Sequence, residues 1–188
     1  MPLTEKEQKV LRKLLCKYDT SGDGRLQFDE FLKFMKAAVA LNAEEQDEEG
    51  EINAPEDGNV NVQALRFLYD GMDMDGSHSL SVDELWEAFG AFKDDDFKFL
   101  TKMIFRGADK DNSRKVNIAE FKDAASVGSK EFSEEDFKAK IKVELGKEYK
   151  ELTYAQFYKV ITGETIDENT DPYDGKLPEA KSKCCLLL

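Results

Sequence analysis

Apolar residues recur at helical spacing on both sides of a short polar stretch near the start of the chain. They stand at Val10, Leu11, Leu14, Leu15 and Tyr18 before the stretch, and at Phe31, Phe34, Met35, Ala38 and Leu41 after it. Residues at this spacing fall on one face of an α-helix. Thr4 followed by Glu7 is a capping box, which marks the start of the first helix. The pattern predicts two amphipathic helices joined by a polar loop.

The same arrangement returns further along the chain. The spacing of Phe31, Phe34 and Met35 is repeated at Leu85, Ala88 and Phe89, and again at Phe157, Val160 and Ile161. Ser133, followed by three acidic residues, is predicted to cap the helix that enters the last unit. Repetition of one supersecondary unit is typical of a repeat architecture. The sequence therefore predicts an all-α fold built from helix–loop–helix units.

The polar stretch Asp19–Glu30, called loop 1 below, has oxygen-bearing groups at alternate positions. Asp19, Ser21, Asp23, Gln27 and Glu30 stand at its first, third, fifth, ninth and twelfth places, and Arg25 would supply its backbone carbonyl at the seventh. Ca²⁺ takes about six to eight oxygen ligands, which a short loop supplies by alternating ligand and spacer. Gly24 at the sixth place permits the positive φ angle that folds the loop around an ion.

Two later stretches carry the same ligand pattern in register. In loop 2, Asp73–Glu84, the side-chain positions are Asp73, Asp75, Ser77, Ser81 and Glu84, with the Ser79 carbonyl at the seventh place. In loop 3, Asp109–Glu120, they are Asp109, Asp111, Ser113, Asn117 and Glu120, with the Lys115 carbonyl at the seventh place. A terminal glutamate that binds with both oxygens favours Ca²⁺ over Mg²⁺, which demands a tighter octahedral shell.

A helix, a loop of this kind and a second helix together resemble the EF-hand, and the chain resembles the calmodulin superfamily of calcium-binding proteins. The resemblance implies hands that fold in pairs. The apolar residues at the eighth places, Leu26, Leu80 and Val116, would then pair between loops as short β-bridges.

A fourth unit is expected one further repeat interval beyond Asp109. The window Leu145–Gln156, called loop 4, keeps the apolar Leu152 at its eighth place. Its ligand positions are lost, with Leu145, Lys147, Tyr149 and Gln156 at the first, third, fifth and twelfth places. Loop 4 is interpreted as a degenerate hand that binds no metal and supports loop 3 structurally.

The three metal loops differ at the sixth place. His78 in loop 2 and Arg114 in loop 3 replace the glycine of loop 1, where a positive φ is expected. A non-glycine residue in that conformation costs about 1 kcal/mol, and histidine tolerates it better than most. Arg114 and Lys115 also place positive charge beside the ion. We therefore expect loop 1 to fill most easily and loop 3 least easily.

The formal net charge of −13 disfavours nucleic acid as a partner. Much of that charge comes from residues 42–62, which contain eight acidic residues and no lysine or arginine. This composition predicts a solvated acidic insertion in the first pair of hands.

The last four residues, Cys185-Leu186-Leu187-Leu188, resemble a prenylation box, and Cys184 beside it offers a second lipidation site. The alternative is an unmodified apolar end. The sequence predicts an N-terminal pair over 1–92, a C-terminal pair over 93–162 and a flexible, lipidatable tail over 163–188.

The resemblance implies a cytoplasmic calcium sensor that exposes an apolar groove to an amphipathic helix of a target protein, held at a membrane surface if the tail is lipidated. Two alternatives remain: a calcium buffer that changes shape little, and a non-catalytic regulatory subunit of the light-chain kind. An enzyme is not expected, because the patterned carboxylates are assigned to metal and no nucleophile–base pair or phosphate-binding glycine loop is present.

Overall fold

The computed structural model describes residues 4–43, 61–128 and 133–176. The helices in these ranges are α1 (Glu5–Tyr18), α2 (Phe28–Ala43), α3 (Val62–Met72), α4 (Val82–Asp94), α5 (Phe97–Ala108), α6 (Ile118–Gly128), α7 (Glu134–Leu145) and α8 (Tyr154–Thr162). The strands are β1 (Arg25–Leu26), β2 (Leu80–Ser81), β3 (Lys115–Asn117) and β4 (Glu151–Thr153). Each strand lies in the loop between two helices. The predicted all-α fold of four helix–loop–helix units is confirmed.

The loops pair through their strands. β1 runs antiparallel to β2, with Leu26 opposite Leu80, and β3 runs antiparallel to β4, with Val116 opposite Leu152. These are the eighth residues of the four loops, so the predicted β-bridges are present. The degenerate loop 4 takes part in the same way as the others, because its strand depends on apolar burial and not on ligands.

Side-chain caps fix where the helices begin. Thr4 and Glu7 form the predicted capping box of α1, and Ser133 caps α7 as predicted. Two further capping boxes start α4, at Ser81, and α8, at Thr153. These bonds satisfy backbone N–H groups that have no partner within the helix.

Each pair of units surrounds an apolar core. The core of the first pair includes Leu14, Leu26, Phe31, Phe34, Tyr69, Leu80 and Leu85. The core of the second pair includes Phe105, Val116, Ile141, Leu152, Phe157 and Val160. In the second core the Phe105 ring packs edge-on against Phe157, with 5.3 Å between ring centroids.

The two pairs pack directly against each other where α3 crosses α5. A Cβ atom on Gly71 would lie 2.5 Å from the backbone oxygen of Met103, and one on Gly107 would lie 2.7 Å from that of Phe67. Only glycine permits so close an approach of two helix backbones. Met103 of α5 belongs to the first core and Phe67 of α3 packs on the second. The crossing therefore joins the two cores.

Residues 163–176, which we call the C-terminal strap, leave α8 in turns and pack back on the protein. Pro172 and Tyr173 are buried. The buried Arg106 of α5 donates to the Pro172 oxygen at 2.6 Å and to the Gly71 oxygen at 2.7 Å. Lys176 reaches Glu87 of α4 at 3.1 Å.

The strap differs from the flexible tail that its polar composition predicted from residue 163 onward. Arg106, only 2% exposed, finds a backbone acceptor in the strap, and a buried guanidinium needs such partners. The correction applies to 163–176 alone. Cys184 and Cys185, predicted for lipidation, lie outside the described residues, as does most of the predicted acidic insertion.

Among the described residues, no helix combines the length and the apolar character needed to cross a bilayer.

Candidate metal centres

Two groups of carboxylates converge where loops 2 and 3 close. One carboxylate oxygen from each of Asp73, Asp75 and Glu84 lies within 4.8 Å of the other two, and the same holds for Asp109, Asp111 and Glu120. These residues occupy the first, third and twelfth places of their loops. A donor set made of oxygen alone suits a hard divalent cation. The structure therefore brings together the charged ligands that the loop pattern predicted.

The aspartate at the first place of each loop organises the turn that follows it. Its two oxygens accept hydrogen bonds from backbone N–H groups further along the same loop. The donors are Gly22 and Gly24 for Asp19, Ser77 and His78 for Asp73, and Ser113 and Arg114 for Asp109. In all three loops the sixth residue donates to the first-place aspartate, even though the sixth residues differ.

The glutamate at the twelfth place reaches back from its helix to the start of its loop. Glu84 Oε1 accepts from the Met74 N–H at 2.9 Å, and Glu30 Oε1 accepts from the Thr20 N–H at 2.9 Å. The other oxygen of each accepts from the residue three places earlier, Ser81 or Gln27. Both ends of each loop are therefore tied to one carboxylate.

Burial raises the pKa values of the first-place aspartates in loops 2 and 3. Asp73 and Asp109 are 6% and 1% exposed. Burial raises the pKa of Asp73 to about 6, against the hydrogen bond from the His78 N–H. Burial likewise raises the pKa of Asp109 to about 6, although the Tyr173 hydroxyl and two backbone N–H groups bond to it. Each carboxylate stands where a cation would relieve the cost of its buried charge.

Loop 1 is arranged differently. Asp19, Asp23 and Glu30 do not form a convergent carboxylate group in the part of the chain that the structure describes. Burial disfavours the charged form of Glu30, but hydrogen bonds from Gln27, Thr20 and Ser21 outweigh it and lower the pKa. Asp23 accepts from the Arg25 N–H at 2.9 Å and lies exposed. The carboxylates of loop 1 are satisfied by the loop itself.

The sixth residues all adopt the expected left-handed backbone. The φ angle is 79° at Gly24, 60° at His78 and 64° at Arg114. The prediction that position six requires a positive φ is confirmed for the two non-glycine residues.

The residues predicted as middle and ninth ligands serve the loop backbone. Ser77 Oγ donates to the Ser79 oxygen at 2.9 Å, and Ser113 Oγ donates to the Lys115 oxygen at 3.1 Å, so fifth and seventh oxygens lie together. In loop 1, Ser21 Oγ donates to Asp19 at 3.0 Å. Ser81 and Asn117 accept from the N–H groups of Glu84 and Glu120 and so act as helix caps.

Each of the two candidate centres receives a side chain from outside its own loop, and the loop pattern did not reveal either. The guanidinium of Arg25, from loop 1, lies among the oxygens of loop 2. The hydroxyl of Tyr173, from the strap, donates to Asp109 Oδ2 at 2.7 Å. Each partner lies more than one repeat unit away in sequence, and ligand spacing within a loop carries no information about such contacts.

Loop 4 keeps the same scaffold with a neutral closing residue. Gln156 Oε1 accepts from the Thr153 N–H at 3.0 Å, as Glu84 and Glu30 do from their own ninth residues. Lys147, at the third place, lies over the Tyr149 ring at the fifth. A cationic side chain at a ligand place is consistent with the interpretation of loop 4 as a hand without metal.

The sequence matches no protein-family model. It is 28% identical to calcium-binding protein LPS1-beta of Lytechinus pictus over 112 residues, which are 60% of this chain and 40% of that protein. It is 24% identical to calcium-binding protein LPS1-alpha of the same organism over 120 residues, 64% of this chain and 32% of that protein.

A plant protein shows a similar level of identity. The chain is 27% identical to the probable calcium-binding protein CML25 of Arabidopsis thaliana over 126 residues, 67% of this chain and 59% of that protein. The matched region thus spans less than two thirds of each of these relatives. The similarity to three proteins named for calcium binding supports the calmodulin-like, EF-hand character that the loop pattern indicated.

Proposed function

We propose that the protein binds Ca²⁺ in loops 1, 2 and 3. The observation that carries this proposal is the convergence of first, third and twelfth carboxylates in loops 2 and 3. The names of the relatives from Lytechinus pictus and Arabidopsis thaliana agree with it. A binding role without catalysis accounts for the patterned carboxylates.

The residues that would hold the ions are those predicted from spacing. Asp73, Asp75 and Glu84 would supply the charged ligands of loop 2, with Ser77 Oγ and the Ser79 oxygen beside them. A bound Ca²⁺ ion would supply the positive charge that offsets the repulsion among these carboxylates. The chain itself fixes their direction, through the backbone N–H groups that each carboxylate accepts.

We further propose that the protein is a sensor. Reorientation of the helices flanking a loop would expose the apolar core of that pair as a groove for an amphipathic helix of a target protein. The aromatic core of the first pair, with Phe31, Phe34 and Phe89 in contact, is a surface of suitable chemistry.

A buffer that changes shape little is the second candidate, and the crossing of α3 and α5 favours it. Gly71 and Gly107 bring these two helices into backbone contact. Helix α3 leads into loop 2, and helix α5 leads into loop 3. The strap is held to α5 and α4 by Arg106 and Lys176. Contacts of this kind restrain the entering helices of loops 2 and 3.

Membrane attachment through Cys185, with Cys184 as a second site, is part of the same proposal. It would place the sensor at the cytoplasmic face of a membrane. Mass spectrometry of the C-terminus of the protein from its native cells tests it, because an intact Leu188 with unmodified Cys184 and Cys185 would rule out lipidation.

Isothermal titration calorimetry with Ca²⁺ tests the binding proposal. Wild-type protein should bind at micromolar free ion, and the Asp19→Ala, Asp73→Ala, Asp109→Ala triple variant should not. When the free Ca²⁺ concentration is a hundred times the Kd of a site, binding there adds about 2.7 kcal/mol to the free energy of unfolding. Ca²⁺ should therefore also raise the melting temperature of the wild type.

The control is Gln156→Ala, which removes the closing side chain of loop 4, the loop without metal, and should leave Ca²⁺ binding unchanged. The proposal fails if the wild type binds no Ca²⁺, or if the triple variant binds as well as the wild type.

A further inference from the structure

The side chain of Arg25 crosses from loop 1 into the oxygen cluster of loop 2. Its Nε donates to Ser79 Oγ at 2.6 Å. Its Nη2 lies 2.5 Å from Ser77 Oγ and 2.8 Å from the Ser79 backbone oxygen. The same nitrogen lies 3.2 Å and 3.3 Å from the two oxygens of Asp75, and 3.5 Å from Glu84 Oε2.

The oxygens around this nitrogen belong to the predicted ligand set. They come from the third, fifth, seventh and twelfth places of loop 2, that is from Asp75, Ser77, Ser79 and Glu84. An Nη group carries two hydrogens and cannot bond fully to so many acceptors. The arrangement is that of a positive charge held inside an oxygen shell, in the place where a cation would be bound.

The contact is specific to loop 2. Lys115 holds the seventh place of loop 3, as Arg25 does in loop 1, but its Nζ points to the exposed Glu151 of loop 4 at 3.4 Å. A positive side chain at the seventh place therefore does not by itself enter the neighbouring centre. The reach of Arg25 follows from its planar guanidinium and from the β1–β2 pairing, which sets Arg25 opposite Ser81.

We propose that Arg25 is an internal competitor of Ca²⁺ in loop 2. Its guanidinium offsets the repulsion between Asp75 and Glu84, since Nη2 lies 3.2 Å from an oxygen of Asp75 and 3.5 Å from one of Glu84. Arg25 must leave the cluster before those oxygens can hold an ion. This inference rests on the proposed function, since it assumes that loop 2 binds Ca²⁺.

Competition has two consequences of opposite sign. It stabilises the protein without metal, because the carboxylates keep a counter-charge. It weakens Ca²⁺ binding to loop 2, because part of the binding free energy is used to displace the guanidinium. A side chain with an ordinary structural role would stabilise both states alike.

The test isolates loop 2 in a Glu30→Gln, Glu120→Gln background, which removes the closing ligands of loops 1 and 3. Calorimetric titration with Ca²⁺ is then compared with and without Arg25→Ala. The Arg25→Ala change should tighten Ca²⁺ binding roughly fivefold, the scale of a partly exposed ion-pair network. Arg25→Gln, which keeps a polar stem, should tighten it in the same direction and serves if Arg25→Ala does not fold.

The matched control is Arg66→Ala, which removes a guanidinium paired with Asp70 outside the loops and should not change the affinity. Thermal unfolding supplies a second readout. Arg25→Ala should lower the melting temperature in chelator and enlarge the upward shift produced by Ca²⁺.

The inference is overturned if both Arg25 variants bind Ca²⁺ no more tightly than the background, or if Arg25→Ala lowers the melting temperature equally with and without Ca²⁺. If the background itself binds no Ca²⁺, restoration of binding by Arg25→Ala supports the inference and failure to restore it overturns it. Absence of binding in the wild type would instead defeat the proposed function.

Discussion

His78 and Arg114 hold the left-handed backbone expected at the sixth place of their loops. That conformation costs about 1 kcal/mol for a non-glycine residue. The expected ranking of the loops, which assigned this cost to affinity, stays a prediction. Loop 1 retains Gly24, and loop 2 also differs from it in having the guanidinium of Arg25 among its oxygens.

Tyr173 is the residue that links the strap to loop 3. Its hydroxyl donates to Asp109 Oδ2 at 2.7 Å, and the side chain is 1% exposed. Tyr173→Phe should lower the free energy of unfolding by about 1–3 kcal/mol, because it removes a donor from a buried carboxylate. Urea denaturation in chelator measures the loss.

The control for this change is Tyr158→Phe, whose hydroxyl lies 3.5 Å from Glu164. That loss should stay within about 0.5 kcal/mol. Equal losses in the two variants would show that the Tyr173–Asp109 bond contributes nothing particular to stability.

Helices α3 and α5 are the elements through which the two pairs of hands meet. Their crossing depends on glycine at two points, and neither glycine needs a positive φ. Both glycines allow the backbones of α3 and α5 to touch, because a side chain at either position would separate the two helices. In an exposed helix the same residue type would only weaken the helix.

Gly71→Ala should destabilise the protein by about 1–3 kcal/mol, because its Cβ would lie 2.5 Å from the Met103 oxygen and 2.8 Å from Met103 Cγ. Gly90→Ala in α4 is the matched control. A Cβ there meets nothing within 4 Å, so the change should raise the free energy of unfolding by about 0.5–1 kcal/mol. Chemical denaturation of both variants measures these changes, and a stabilised Gly71→Ala would contradict the close crossing.

At the scale of the whole molecule, the two pairs of hands and the strap pack together around Arg106. This side chain bonds α3 through Gly71 and the strap through Pro172. A sensor must open one of its pairs within this arrangement. The contacts that hold the strap fall on both pairs, on α4 of the first and on α5 and loop 3 of the second.

Trp86 provides a probe of that opening. It lies on α4, and the Arg12 guanidinium of α1 sits over its ring at 4.5 Å from the centroid. Glu7 of α1 and Lys93 of α4 also pair at 2.9 Å. If Ca²⁺ reorients α1 and α4, it should change the Trp86 emission and increase the fluorescence of a dye that binds apolar surface.

A Glu30→Gln, Glu84→Gln, Glu120→Gln variant is the control and should show neither change. Binding by calorimetry in the wild type without either optical change would favour the buffer over the sensor.

The sequence by itself determined what depends on neighbouring residues. Three features are set within one helix–loop–helix unit: the helical periodicity, the caps at Thr4 and Ser133, and the ligand spacing of the loop. The structure contains the predicted helices and both caps. The eighth residues also identified the strand register between loops, because an apolar residue at a fixed place in each loop has one partner to be buried against.

Only the tertiary structure decided which distant groups meet. Arg25 was predicted to supply a backbone carbonyl in loop 1, yet its side chain lies among the oxygens of loop 2. The composition of the strap predicted a flexible segment. In the structure, its Pro172 oxygen accepts from the buried Arg106 and its Tyr173 hydroxyl donates to the buried Asp109. Such contacts depend on how the units pack, and the spacing of residues along the chain does not encode which side chain will reach across.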